Sequence, residues 1–61
     1  MTSELLTKCW EIENWTRSLT MRGLERGEIV ARIDEMYEPE SLDEMEAYSE
    51  AILYARLGVL N

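Results

Sequence analysis

The sequence predicts an all-α fold, a helical hairpin or a small three-helix bundle, on three observations. Apolar residues recur at the helical period in three segments. Two breaks separate those segments, a glycine pair at Gly23 and Gly27 and a proline at Pro39. Ser41–Leu42–Asp43–Glu44 then has the form of a capping box at the head of the third segment. The expected helices cover about 3–22, 28–37 and 42–57, within one domain spanning residues 1–61.

In the first helix, Leu5, Cys9, Ile12, Thr16 and Leu19 fall on one stripe at about 100° per residue, flanked by Trp15. Thr2 or Ser3 suits the N-cap. Gly23 and Gly27 each cost about 1 kcal/mol relative to alanine inside a helix, so the pair favours a turn. The apolar stripe nevertheless continues in phase to Tyr37, which leaves one long kinked helix over 3–37 as the alternative. The second helix carries Ile29, Val30, Ile33, Met36 and Tyr37 on one face. It ends at Glu38–Pro39–Glu40, because the residue before proline is pushed out of the helical region.

The third helix starts at Ser41, whose side chain caps an orphan amide while Glu44 reaches back to the Ser41 amide. Asp43 and Glu44 suit the positive end of its dipole. Gly58 reads as a C′ glycine after Leu57, with Val59 and Leu60 folding back onto the helix. This helix has two apolar stripes. Met45, Tyr48, Ile52, Ala55 and Val59 form one, and Leu42, Leu53, Leu57 and Leu60 form the other. Helix one shows the same doubling through Leu6, Trp10 and Met21, and Trp10 and Trp15 point about 140° apart. A three-helix bundle uses both stripes internally, whereas a homodimer uses the second between copies. Leu6, Trp10, Leu42, Leu53, Arg56, Leu57 and Leu60 are the expected self-association residues. Arg56 either pairs with a carboxylate of a second subunit or packs its stem on leucines with its head in water.

A chain of 61 residues has a marginal core, and such chains commonly lean on a disulfide, a metal or a partner. Cys9 is the single cysteine and there is no histidine, so an internal disulfide and the usual zinc ligand sets are excluded. Association is the remaining route, and a homodimer is the expectation. No basic leader and no long apolar run follows Met1, so the chain is read as cytoplasmic.

The charge is segregated. Nine carboxylates and Arg32 give the stretch from Glu28 to Glu50 a net charge of −8, against +1 for everything else. Such a field repels phosphate and attracts basic surfaces. Direct nucleic-acid binding is therefore not expected: Lys8, Arg17, Arg22 and Arg26 are interspersed with acids, and the third helix has only Arg56. Asp34 to Glu46 lacks the alternating ligands and central glycine of a calcium loop. No Gly-Lys-Ser/Thr follows the glycine pair, and its G-x-x-x-G spacing signifies packing only in an apolar membrane segment.

Without histidine there is no Ser-His or Cys-His arrangement, and Cys9 on a core stripe reads as a small hydrophobe. No enzymatic activity and no cofactor are expected. The expected role is a small acidic interaction module, of the kind bacteriophages and mobile elements use as regulators, that binds a basic surface of a larger protein. Glu35, Glu38, Glu40, Asp43, Glu44 and Glu46 are the expected acidic contact residues. The alternatives are a structural subunit or assembly adaptor of a larger complex, and a DNA mimic that blocks a nucleic-acid-binding protein.

Overall fold

The computed structural model describes residues 3–61 and contains three helices, α1 (Ser3–Met21), α2 (Arg26–Tyr37) and α3 (Leu42–Leu60), with no strand among those residues. Of the two expected N-cap residues, Thr2 lies outside the described residues and Ser3 is already the first helical residue.

The turn between α1 and α2 is set by Gly23, which stands at φ +94° and so cannot continue a right-handed helix. The amide of Leu24 donates to the Leu19 carbonyl at 3.2 Å, and that of Gly23 donates to the Thr20 carbonyl at 3.0 Å. This pairing is a Schellman motif, with Gly23 at C′. Leu24 packs against the core cluster that contains Leu19, which supplies the apolar contact such an ending favours. The chain is therefore broken here, and the single kinked helix over 3–37 does not form. Gly27 falls inside the first turn of α2, which begins at Arg26, two residues earlier than expected.

At the far end of α2, Glu38 takes a left-handed conformation at φ +38° while its amide donates to the Asp34 carbonyl at 2.9 Å. Pro39 accounts for the escape from helical geometry. Ser41 then caps α3, its Oγ accepting from the Glu44 amide at 3.1 Å. The return bond is displaced by one residue from the expected box: the Glu44 carboxylate accepts from the Glu40 amide at 2.9 Å, rather than from Ser41. Replacing Ser41 by alanine is expected to cost about 1 kcal/mol, read as a lower urea midpoint at unchanged m-value.

Gly58 is not a C′ residue. α3 runs through it to Leu60, and the Asn61 amide donates to the Leu57 carbonyl at 3.0 Å. Val59 and Leu60 extend the helix instead of folding back. The backbone at Gly58 stays out of the left-handed region, and local pattern alone could not tell an interior glycine from a terminal one.

The helices run up, down and up. Tyr37 at the end of α2 lies beside Glu11 and Ser18, and Arg32 earlier in α2 lies beside Leu19 and Arg22. Arg26 and Val30 at the start of α2 meet Ser49 and Leu53 of α3. α2 is thus antiparallel to both neighbours, and α1 and α3 run in the same direction. The contact between α1 and α3 is the most extensive in the molecule, and that between α2 and α3 the slightest.

The core comprises Ile12, Thr16 and Leu19 from α1, Ile29 and Ile33 from α2, and Tyr48, Ala51, Ile52 and Ala55 from α3. The expected stripes supply every one except Ala51, which lies one turn from both Tyr48 and Ala55 on the inner face. Leu5, Cys9, Val30 and Tyr37 pack partly buried around this cluster, whereas Met36 and Met45 are exposed. Three hydroxyls are buried without a partner among the described residues, those of Thr16, Thr20 and Tyr48.

Candidate functional site

Three short helices cannot cover all the apolar surface the sequence carries. Leu42 is 77 % exposed, Leu60 64 %, and Leu53 and Leu57 each 45 %. The second stripe of α3 is therefore not used inside the bundle. The reason is the slight α2–α3 contact, which leaves a groove between the two helices lined by Arg26, Val30, Ser49, Glu50, Ile52 and Leu53. Trp10 is 64 % exposed, and Leu6 and Met21 also face out. Scattered apolar residues are ordinary on a protein surface, whereas several exposed leucines on one side of a single helix form a larger apolar patch than most.

The seven apolar and basic residues expected to act together do not share one face. On α1, Leu6 and Trp10 are turned about 110–150° from the buried stripe. On α3, Leu42, Leu53 and Leu60 are turned about 130–150° from theirs in the same rotational sense, and Leu57 points almost directly outward. Two parallel neighbours turned in the same sense present those residues on opposite sides of their shared layer. The α3 leucines accordingly lie on the side bordered by α2, and Leu6 and Trp10 on the side away from it. Trp15 faces the α2 side, beside Tyr37 and Met36.

Arg56 stands on the edge of the α3 stripe, half-buried, and its Nε has no hydrogen-bond partner. Its helix offers no carboxylate one turn away, since those positions are Ile52, Leu53, Val59 and Leu60.

The six expected acidic contact residues also separate. Glu38, Glu40 and Asp43 are exposed at the α2–α3 connection. Glu44 is half-buried and engaged in the α3 cap. Glu46 lies on the outer surface of α3 with Glu50, in an open depression of about 420 Å³ shared with Leu42, Met45 and Ser49. Glu35 is on the other side of the molecule, near Arg22 and Arg32. A further carboxylate joins the acidic end from α1: Glu11 accepts a 3.1 Å hydrogen bond from the Tyr37 hydroxyl. That partnership spans 26 residues and no local pattern announces it.

Burial, then the hydrogen bond to Glu11, pushes Tyr37 above the ordinary tyrosine value. Burial raises Tyr48 too, with Lys8 opposing and Glu44 and Glu40 adding to the rise. Cys9 is raised by burial and by the Glu13 charge, which keeps it a thiol and a poor nucleophile. An open depression of about 400 Å³ is lined by Glu11, Asn14, Trp15, Ser18 and Tyr37, and its one carboxylate is already held by the tyrosine. Among the described residues no three of Cys, Asp and Glu converge to hold a metal ion, and no helix is long and apolar enough to cross a membrane.

No family model matches this chain, and no curated protein or solved structure is detectably similar to it.

Proposed function

We propose that the chain is a small acidic, non-enzymatic interaction module that binds a basic surface of a larger protein through its α2–α3 connection. The observation that supports this most is the clustering of exposed Glu38, Glu40 and Asp43 at one end, with Glu11 and the capping Glu44 nearby. Carboxylates gathered around a short connection create a local negative potential that steers a cationic partner and sets its orientation.

Replacing Glu38 and Glu40 by lysine tests the reading without touching the first turn of α3. Protein captured from native lysate on the immobilised chain should be retained at ~50 mM salt, be mostly released at ~300 mM, and be lost to the E38K/E40K variant. Retention that ignores both salt and charge reversal overturns it. If DNA displaces the captured protein, the partner is a nucleic-acid-binding protein and the carboxylates act as phosphate mimics.

The exposed leucines of α3 favour a second reading, a structural adaptor whose apolar stripe docks into a larger assembly. A purified chain that is molten or aggregated alone supports the adaptor, whereas a folded species of defined mass supports the free-standing module.

A further inference from the structure

We infer that α3 pairs with the α3 of a second copy, antiparallel and in one register, through Leu42, Glu46, Ser49, Leu53, Arg56 and Leu60. The inference rests on the reading above only in that both have the chain act by contact. It concerns a different surface from the Glu38–Glu40 connection.

These six residues alternate at spacings of four and three, which are the d and a positions of a heptad seam. They lie on the outer surface of α3, away from Tyr48, Ala51, Ile52 and Ala55, which face the core. Five of the six are exposed and Arg56 is half-buried. Tyr54 and Leu57 lie further round the same outer surface, and Arg26 and Val30 of α2 share a groove with Ser49, Glu50 and Leu53.

The seam is complementary to itself when reversed. Leu42 and Leu60 stand nine residues either side of position 51, Glu46 and Arg56 five, and Ser49 and Leu53 two. An antiparallel pair centred at that level therefore stacks Leu42 on the partner's Leu60, Glu46 on the partner's Arg56, and Ser49 beside the partner's Leu53. Each layer occurs twice by the twofold symmetry, in the isologous manner of a closed dimer. Antiparallel seams bring an a residue beside a d residue in each layer, and every one of these layers does so.

The charges select both the occupant and the register. Arg56 is the one cation on the seam, and its Nε has no hydrogen-bond partner among the described residues. Glu46 has no cation one turn away on α3, where the neighbours are Leu42, Asp43, Ser49 and Glu50. A second copy supplies what each lacks. Sliding the pair by one heptad either way sets Arg56 against Leu53 or carries it beyond the helix start, and leaves Glu46 against Ser49 or unmatched. Charged groups placed on a helical seam are a known means of fixing register.

Sedimentation equilibrium of the full chain and of three variants tests the inference. The wild type should be a reversible dimer. Glu46→Arg and Arg56→Glu should each weaken it by about tenfold or more, because each puts like charges in two layers. The double variant E46R/R56E should return to within about threefold of the wild type, since the exchange restores both layers. Helical circular dichroism of each variant separates lost pairing from lost folding. A monomeric wild type overturns the inference, as does a dimer indifferent to both single changes or a double variant that fails to recover. The salt-sensitive capture by Glu38 and Glu40 can succeed or fail in any of these cases.

Discussion

Ile12→Ala is expected to remove most of the chain's stability at room temperature. Ile12 has no exposure at all and belongs to the central cluster with Ile29, Ile33, Tyr48 and Ile52. Deleting a buried isoleucine to alanine costs about 2–5 kcal/mol, from lost transfer energy and from the cavity left behind. A globular chain of this size has a total stability of only about 3–9 kcal/mol. The change therefore consumes most of the margin. Ile12→Val should cost about 0.5–1.5 kcal/mol and remain folded. Met21→Ala, at a position 77 % exposed, should stay within about 0.5 kcal/mol of the wild type. Urea titration followed by helical circular dichroism checks all three. An Ile12→Ala midpoint close to that of Met21→Ala would show that the core lies elsewhere.

Tyr48→Phe is expected to raise stability, by about 1–2 kcal/mol, because it removes a buried hydroxyl that has no partner. The ring itself remains, in edge contact with Tyr37 at a centroid distance of 6.4 Å. The same substitution should change the alkaline limit. Burial raises the folded-state value of Tyr48 above that of the unfolded chain, so the native state holds its proton longer. That contribution is fully present below the ordinary tyrosine value of about 10 and is lost as pH climbs past it, because the unfolded chain ionises first. Wild-type stability should fall through that range, and Tyr48→Phe should fall less steeply. A residual slope is expected from Tyr37, which is raised as well. A destabilised Tyr48→Phe would mean that the hydroxyl makes a bond in solution, and equal slopes that it is not buried there.

Much of this architecture was legible in local residue chemistry. The break before Pro39, the cap at Ser41 and the inner stripes of all three helices arise from which backbone angles a residue tolerates and which side chains avoid water. The glycines divide instructively. Gly23 and Gly58 look equivalent in the sequence, each closing an apolar run, yet the first takes φ +94° and the second continues a helix. The residue after each glycine makes the difference. Leu24 can fold back onto Leu19, whereas Val59 stays half-buried by carrying the α3 stripe onward. Helix–helix packing decided it.

The candidate surfaces were legible as residue types but not as places. The acidic segment is contiguous along the chain, yet folding divides it among a connection, a cap, the outside of α3 and the far side near Arg22. Glu11 joins from a helix with no net share in that segment.

By itself, then, the sequence determined an acidic all-helical chain with two apolar stripes on its third helix, because charge, helical period and capping are properties of neighbours along the backbone. Only the tertiary structure decided which stripe is left over and which residues keep company. That depends on the parallel course of α1 and α3, which sends Leu6 and Trp10 to one side and the α3 leucines to the other.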